Sequence, residues 1–221
     1  MIFSVAGLPV KAENMHPDLE ALFSKYQTPA ASPELTVALT ERLPIPQSVE
    51  LLRPVNQKLM ERDTFLMHCS ALSYNGKAIL IAAHSGTGKS THARMWREVF
   101  GQKVVMINDD KPFLRFEEDG LYVFGPPWDG KHHLSTNTKA PVCAICFLSR
   151  GEEDSIKPME PQEALSFIFD QVSRSADGEY MTKLLALLDK MLTTVPLYSL
   201  VCTPTHNAAK VAAKAIIGDI L

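Results

Sequence analysis

Two long apolar runs lie close together between residues 64 and 83, Thr64 to Tyr74 and Lys77 to Ala83, separated only by Asn75-Gly76. That dipeptide tolerates the positive φ of a type I′ turn, so the pattern predicts strand, tight turn, strand. A glycine-rich stretch follows, Ser85-Gly86-Thr87-Gly88-Lys89-Ser90, and then THARMWREVFG, which places Ala93, Trp96, Val99 and Phe100 on one helical face and stops at Gly101. Further short apolar runs predict strands at Ile2 to Val5, Leu35 to Thr40, Lys103 to Asn108, Pro112 to Phe116, Leu121 to Phe124, Pro141 to Leu148 and Pro196 to Cys202. Helical spacing appears at Pro17 to Tyr26, with Leu19, Leu22, Phe23 and Tyr26 on one face, and at Pro161 to Ser175. It appears again at Glu179 to Thr194, with Met181, Leu184, Leu185, Leu188 and Leu192 aligned, and at Asn207 to Leu221. Ser48 is placed to cap a helix running to Arg62, interrupted by Pro54.

A strand feeding a glycine-rich loop that opens a helix is the setting of a phosphate-binding loop. Gly86 and Gly88 lack a Cβ, so the backbone can curl and turn its N–H groups toward a polyphosphate. The helix N-terminus adds the positive end of its dipole. Lys89 is then expected to contact the β- and γ-phosphates and the Ser90 hydroxyl to ligate Mg²⁺, with Ser85, Gly86, Thr87, Gly88 and Thr91 completing the nucleotide contacts. The full pattern G-x-x-x-x-G-K-[ST] places glycine at position 83, where this chain has Ala83. Alanine suffices there if the position keeps an ordinary φ.

A second acidic element follows. Lys103 to Asn108 reads as a buried strand and ends directly in Asp109-Asp110. A carboxylate at the C-terminal end of a hydrophobic strand, beside a phosphate loop, is placed to hold Mg²⁺ or its waters. Downstream, Gly125-Pro126-Pro127-Trp128-Asp129-Gly130-Lys131-His132-His133 reads as an irregular loop, in which Lys131 and the two histidines are candidates to meet substrate or phosphate and Trp128 to form a wall. Arg94 is a further candidate for phosphate oxygens or an anionic acceptor. Cys143 and Cys146 have C-x-x-C spacing, but residues three apart in a strand face opposite ways, so buried reduced thiols are expected rather than a metal site.

Composition narrows the classes. With 221 residues, 46% hydrophobic and 21% charged, the chain has enough apolar content for a substantial core. A net charge of −3 gives no global field toward nucleic acid or anionic lipid. No apolar run approaches the roughly 20 residues of a membrane helix, and the N-terminus lacks a basic stretch before its apolar one, so a cytoplasmic protein is expected. Residues 1–60 carry no catalytic signature and are read as a small N-terminal α+β subdomain, with residues 61–221 as the catalytic domain.

Met67-His68-Cys69-Ser70-Ala71, the phosphate loop, Asn108-Asp109-Asp110 and the later Pro127-Trp128-Asp129-Gly130-Lys131 follow one another at the spacing of one family. In these residues, over about 60 to 150, the chain resembles the catalytic domain shared by HPr kinase/phosphorylase and phosphoenolpyruvate carboxykinase, most of all the short HPr kinase-like proteins. The resemblance implies an α/β (α+β) fold with a mixed-sheet nucleotide-binding core rather than a Ras-like parallel sheet. It implies that His68 lies near the γ-phosphate and its metal, that Asp109 holds Mg²⁺, and that Asp110 is the base on the acceptor hydroxyl or, in the carboxykinase version, a metal ligand. The arginine-rich substrate half of the carboxykinases has no counterpart here, so decarboxylation is not expected.

The expected activity is therefore phosphoryl transfer from ATP, with Mg²⁺, to a hydroxyl of a small molecule or peptide. Asp110, His68 and Lys89 are its catalytic residues, and Arg94 and Lys131 join the loop in binding phosphate. A nucleotide-sensing module without chemistry is the rival reading, and a carboxykinase-like lyase a more distant one. Nucleic-acid and membrane partners are not expected.

Overall fold

The computed structural model describes residues 1–29 and 32–218. Its first part contains β1 (Ile2–Val5), β2 (Leu8–Glu13), α1 (Pro17–Phe23), β3 (Leu35–Ala38) and α2 (Pro44–Met60). β1 and β2 are antiparallel and β2 and β3 parallel, forming a separate three-stranded sheet. The expected helix to Tyr26 ends at Phe23 and tightens into a single 3₁₀ turn, Ser24–Tyr26. α2 starts at Pro44, four residues before the expected cap, because proline at the first helical position loses no hydrogen bond. It also runs through Pro54 without ending. An interior proline costs about 3 kcal/mol, so burial of Leu51, Val55 and Leu59 on the same helix must outweigh it.

The rest of the chain runs β4 (Thr64–Leu66), β5 (Ser70–Tyr74), β6 (Lys77–Ala82), α3 (Lys89–Phe100), β7 (Val104–Asn108), β8 (Phe113–Glu117), β9 (Gly120–Phe124) and β10 (Lys139–Arg150). β11 (Ser155–Pro158), α4 (Pro161–Phe169), α5 (Gly178–Thr194), β12 (Leu197–Cys202) and α6 (His206–Ile217) complete it. The last three residues of the expected terminal helix, 219–221, lie outside the described residues. The strands form one mixed sheet in the order β4-β8-β9-β10-β6-β5-β7, with β12 on β10 and β11 on β12. β10 joins its two halves. Residues 139–141 pair antiparallel with β9, while residues 142–150 run parallel to β6 and β12.

Side-chain alternation along β6 decides what covers each face. Ala78, Leu80 and Ala82 point into a core closed by α4 and α5, through Ile168, Leu184 and Leu188. Ile79 and Ile81 point the other way, against Trp96 of α3 and Ala208 and Ala212 of α6. α5 is rotated from the predicted face: Leu185 is exposed, and Leu187 and Met191 are buried instead. No helix among the described residues is long and apolar enough to cross a membrane.

Two strand expectations are corrected. Thr64 to Tyr74 is not one strand but β4 and β5, because the chain leaves β8 after Leu66 and crosses at residues 67–69 to pair with β6 and β7. The alternation in β10 is broken by a bulge between Val142 and Ala144, which turns Cys143 to the face that already carries Cys146. The two thiols therefore share a face, contrary to simple strand parity, and all four cysteines are free.

Candidate active site

The phosphate-loop stretch folds as the spacing predicts. β6 ends at Ala82, the loop passes through Gly86 (φ 78°) and Gly88 (φ 125°), and α3 opens at Lys89. Both glycines occupy backbone that L side chains avoid. Ala83 is not among the positive-φ residues, so its methyl group is no obstacle. Its carbonyl accepts a hydrogen bond from Lys89 Nζ (2.9 Å), which holds the ammonium across the mouth of the loop. Burial pulls the Lys89 ammonium below its ordinary value, and the nearby Asp110 and Asp109 carboxylates work against that shift. Arg150, at the end of β10, buttresses the loop by donating from Nε to the Thr87 carbonyl (2.9 Å) and from Nη2 to the Gly86 carbonyl.

The acidic pair is positioned by Asn108, the last residue of β7. Its buried amide donates to the Pro126 and Trp128 carbonyls, both at 3.0 Å, and its Oδ1 accepts from the Asp110 and Lys111 backbone N–H groups, both at 2.8 Å. One side chain thereby ties the acidic turn to the 125–134 loop. That loop begins at Gly125, where a Cβ would sit 2.2 Å from the Thr136 carbonyl oxygen and 2.3 Å from that of Ile107. No other residue fits so close to two backbone oxygens.

Asp109 and Asp110 then diverge. Asp109 is buried and accepts from Ser70 Oγ on β5 (2.5 Å). Asp110 meets His68, whose Nε2 lies 2.8 Å from its Oδ1, while Lys111 Nζ pairs with its other oxygen. Burial raises the Asp110 carboxyl, but the bonds from His68 and Lys111 outweigh it and leave the group below its ordinary value. His68 sits on the crossing between β4 and β5, and its backbone N–H donates to the Gln171 carbonyl. With the Gln171 amide turned to place nitrogen toward them, it donates to the His68 and Ala83 carbonyls at 3.0 Å each. Gln171 thus spans the histidine and the glycine-rich loop.

His68, Lys89, Asp109 and Asp110 face one cavity of about 840 Å³. Of the residues predicted from sequence, it brings together His68, Ser85, Gly86, Gly88, Lys89, Ser90, Thr91, Arg94, Asp109, Asp110 and Lys131. Thr87 is not among them. Its N–H closes the loop on the His84 carbonyl (3.2 Å), and the residue borders two neighbouring cavities. The two loop histidines separate: His132 lines this cavity, whereas His133 turns to Asp129 at 2.9 Å and lines another. Trp128 is a packing residue, buried edge-on to Phe23 and Phe113, with Nε1 donating to the Ser48 carbonyl (3.0 Å).

Sequence reading missed Ser70, Asn108 as an organiser, Arg150, Gln171 and Arg97. Arg97 also lines the cavity, and its buried Nε has no hydrogen-bond partner among the described residues. Its signal was present, since Ser90, Arg94 and Arg97 recur at helical spacing. The N-terminal segment is tied to the residues that follow the 125–134 loop. Tyr26 donates to Ser135 Oγ (3.0 Å), Lys25 donates to the Ser135 carbonyl, and Asn137 Nδ2 donates to the Lys25 carbonyl (3.2 Å).

The donors suit a hard cation. Mg²⁺ is ordinarily held by one or two carboxylates together with substrate phosphates and waters, and Asp109, Asp110 and Ser90 offer only oxygen. No group of three or more His, Cys, Asp or Glu side chains able to hold a metal is present among the described residues. An ion here would therefore rely on the phosphates for the rest of its ligands.

Comparison with known proteins names a different family from the one the motifs resemble. The family model described as SynChlorMet cassette protein ScmC matches residues 34–207, most of the chain. The chain belongs to the ScmC family. The matched span takes in the hairpin, the glycine-rich loop, the acidic pair and the 125–134 loop. None of the curated proteins compared with the ScmC-family chain matches it. Among solved structures, the HPr(Ser) kinase/phosphatase from Coxiella burnetii is similar over 66% of this chain and 90% of its own, at 12% identity and a TM-score of 0.36. Likeness at that level carries no argument about activity.

Proposed function

We propose that this protein is an ATP-dependent, Mg²⁺-requiring kinase that transfers the γ-phosphoryl group to a hydroxyl of a small molecule or peptide, on an HPr kinase-like core. The observation that carries the reading is the His68–Asp110 pair facing Lys89 and Ser90 across one cavity. In the proposed reaction the loop amides and Lys89 hold the γ-phosphoryl oxygens, and Arg94, Arg97 and Lys131 supply further positive charge around them. Asp110, oriented by His68, accepts the proton of the acceptor hydroxyl as its oxygen bonds to phosphorus, the bridging P–O bond breaks and ADP leaves. Mg²⁺, held by Ser90 and Asp109 with Asp110 close by, would neutralise charge on the phosphates. A depressed carboxyl pKa is compatible with this role, because a loose phosphoryl-transfer transition state depends on positioning and electrostatics more than on strong base catalysis.

One observation favours a nucleotide sensor instead: both Asp110 oxygens are already engaged, by His68 and Lys111. Incubation with γ-labelled ATP and a pool of metabolites and peptides, followed by mass analysis, separates the two. A kinase yields a phosphorylated acceptor that disappears with Asp110→Asn; a sensor binds ATP and labels nothing.

A further inference from the structure

We propose that the nucleoside of the bound nucleotide leaves the phosphate cavity past Thr91, and that its base seats in a small cavity between the start of α3, the end of β10 and the β12–α6 connection. The inference rests on the nucleotide-binding part of the kinase reading and adds the place that takes the base.

Two further cavities border the glycine-rich loop. One, of about 540 Å³, shares Ser85 and Gly86 with the phosphate cavity and is walled by Phe147, Met159, Phe167 and Gln171. The other, of about 290 Å³, shares Gly88 and Thr91 with it and is walled by Met95, Leu148, Arg150, Thr203 and Pro204. Both lie outside the C-terminal ends of the parallel strands β6 and β10, the usual place for a ligand on such a sheet.

The direction of the phosphate chain chooses between them. In a loop of this kind the backbone N–H groups cradle the α- and β-phosphates and the lysine reaches the β- and γ-phosphates. The γ end belongs beside Lys89 and Asp110. The larger cavity opens on that reacting side, because Gln171 in its wall bonds the carbonyls of His68 and Ala83, and the Ala83 carbonyl also holds Lys89. The smaller cavity includes none of His68, Asp109 and Asp110, so an acceptor seated in it would not face the proposed base. It starts instead at Thr91, in the first turn of α3, where backbone N–H groups have no partner within the helix. A phosphate chain with its γ end at Asp110 therefore brings the α-phosphate toward Thr91 and the nucleoside beyond it.

The walls suit a flat aromatic ring. Met95 and Leu148 are buried and form an apolar floor. The Arg150 guanidinium is held in place by its bonds to the Thr87 and Gly86 carbonyls, and a guanidinium stacks on an aromatic face. The 203–204 wall is fixed as well, since Asp154 accepts from the Thr203 N–H (2.6 Å) and hydroxyl (2.8 Å). A preformed, mostly apolar slot with a few placed polar groups is the ordinary form of a small-ligand site.

The test uses the full chain with Mg²⁺, ATP, inorganic tripolyphosphate and a photoreactive ATP that carries an azide on its base. Irradiation followed by peptide mapping is expected to place the label that excess ATP suppresses on Met95, residues 148–151 or residues 202–204. Met95→Ala should weaken ATP binding by about 10-fold, the scale of one lost apolar contact in a ligand pocket, and leave tripolyphosphate within about 2-fold of wild type. Should that variant fail to fold, the wild-type label map decides alone. Label on Met159, Phe167 or any other segment overturns the assignment, as does azido-ATP that binds and labels nothing. An unchanged ATP affinity in Met95→Ala, or an equal loss for both ligands, overturns it too. In all these outcomes tripolyphosphate still binds the wild-type chain and the nucleotide reading stands. If neither ATP nor tripolyphosphate binds the wild-type chain, the nucleotide reading itself fails, and the base site with it.

Discussion

His68 Nε2 lies 2.8 Å from Asp110 Oδ1, although the two residues come from different parts of the sheet. The histidine stands where the chain crosses from β4 to β5, and the aspartate stands just past the end of β7. Their meeting depends on β5 pairing with β7, in which Ala71 lies opposite Asn108.

That pair should govern turnover more than binding. Asp110→Asn is expected to lower kcat by about 10²–10⁴-fold, the usual range for a general base, with nucleotide affinity changed far less. The pair also contributes to stability. The folded Asp110 carboxyl titrates below its ordinary 3.8, so its contribution is complete above that value and is lost as pH falls through the lower folded one. Melting curves of wild type and Asp110→Asn should therefore converge below pH 3.8 and differ above it. Parallel curves would mean that the carboxylate is not stabilised by its partners.

Lys89→Ala tests the phosphate loop. Removing a preorganised electrostatic contact typically costs about 10²–10³-fold in turnover, and ATP-dependent labelling measured by single-turnover kinetics should fall by that amount. The side chain's hydrogen bond goes to the Ala83 carbonyl, which Gln171 can also bond, so the fold should survive. Wild-type turnover in this variant would refute the role given to Lys89.

Asn108→Ala should damage fold and activity together. It leaves the buried Pro126 and Trp128 carbonyls and the half-buried Asp110 and Lys111 N–H groups without their partner. Each buried unsatisfied group costs about 1–3 kcal/mol, and relaxation recovers part, so urea unfolding should show a loss of about 2–4 kcal/mol. Turnover measured well below the melting temperature should still fall, because Asp110 and the 125–134 loop lose their common reference.

His92, which does not line the cavity that holds Asp110, gives the chain an acid sensitivity of its own. It is buried on α3, its Nε2 accepts from Trp96 Nε1 (3.0 Å) and its Nδ1 faces Cys202 Sγ (3.5 Å). Burial pushes its pKa down from 6.5 to about 4, and protonated Nε2 would point a second hydrogen at the indole N–H. Below pH 6.5 the unfolded chain takes up a proton that the folded one refuses until about pH 4. Stability is therefore full above 6.5 and declines by roughly 3 kcal/mol toward pH 4. His92→Gln, which can still accept from Trp96 but does not titrate, should flatten the melting temperature between pH 4 and 6.5. An unchanged slope would assign the effect to other groups.

How much of this was legible beforehand varied with range. The Asn75-Gly76 turn, the loop through Gly86 and Gly88 and the start of α3 depend on backbone preferences of neighbouring residues, so a linear reading reached them; Asn75 and Gly76 take φ of 48° and 82°. β2 and β11 were missed because their apolar signals are short and interrupted by Pro9 and Lys157. The parity of Cys143 was misread because a bulge costs one residue and leaves no mark in the hydrophobic pattern.

The sequence by itself determined the strand–loop–helix at Ser85–Thr91 and the acidic turn at Asp109-Asp110, because φ tolerance, helix caps and apolar periodicity act between residues a few positions apart. Only the tertiary structure decided that His68 reaches Asp110, that Gln171 spans His68 and the loop, and that the N-terminal helices wall a groove beside the acidic turn. Those relations depend on which strands pair and in what register, an outcome of burying the whole core that no local stretch encodes.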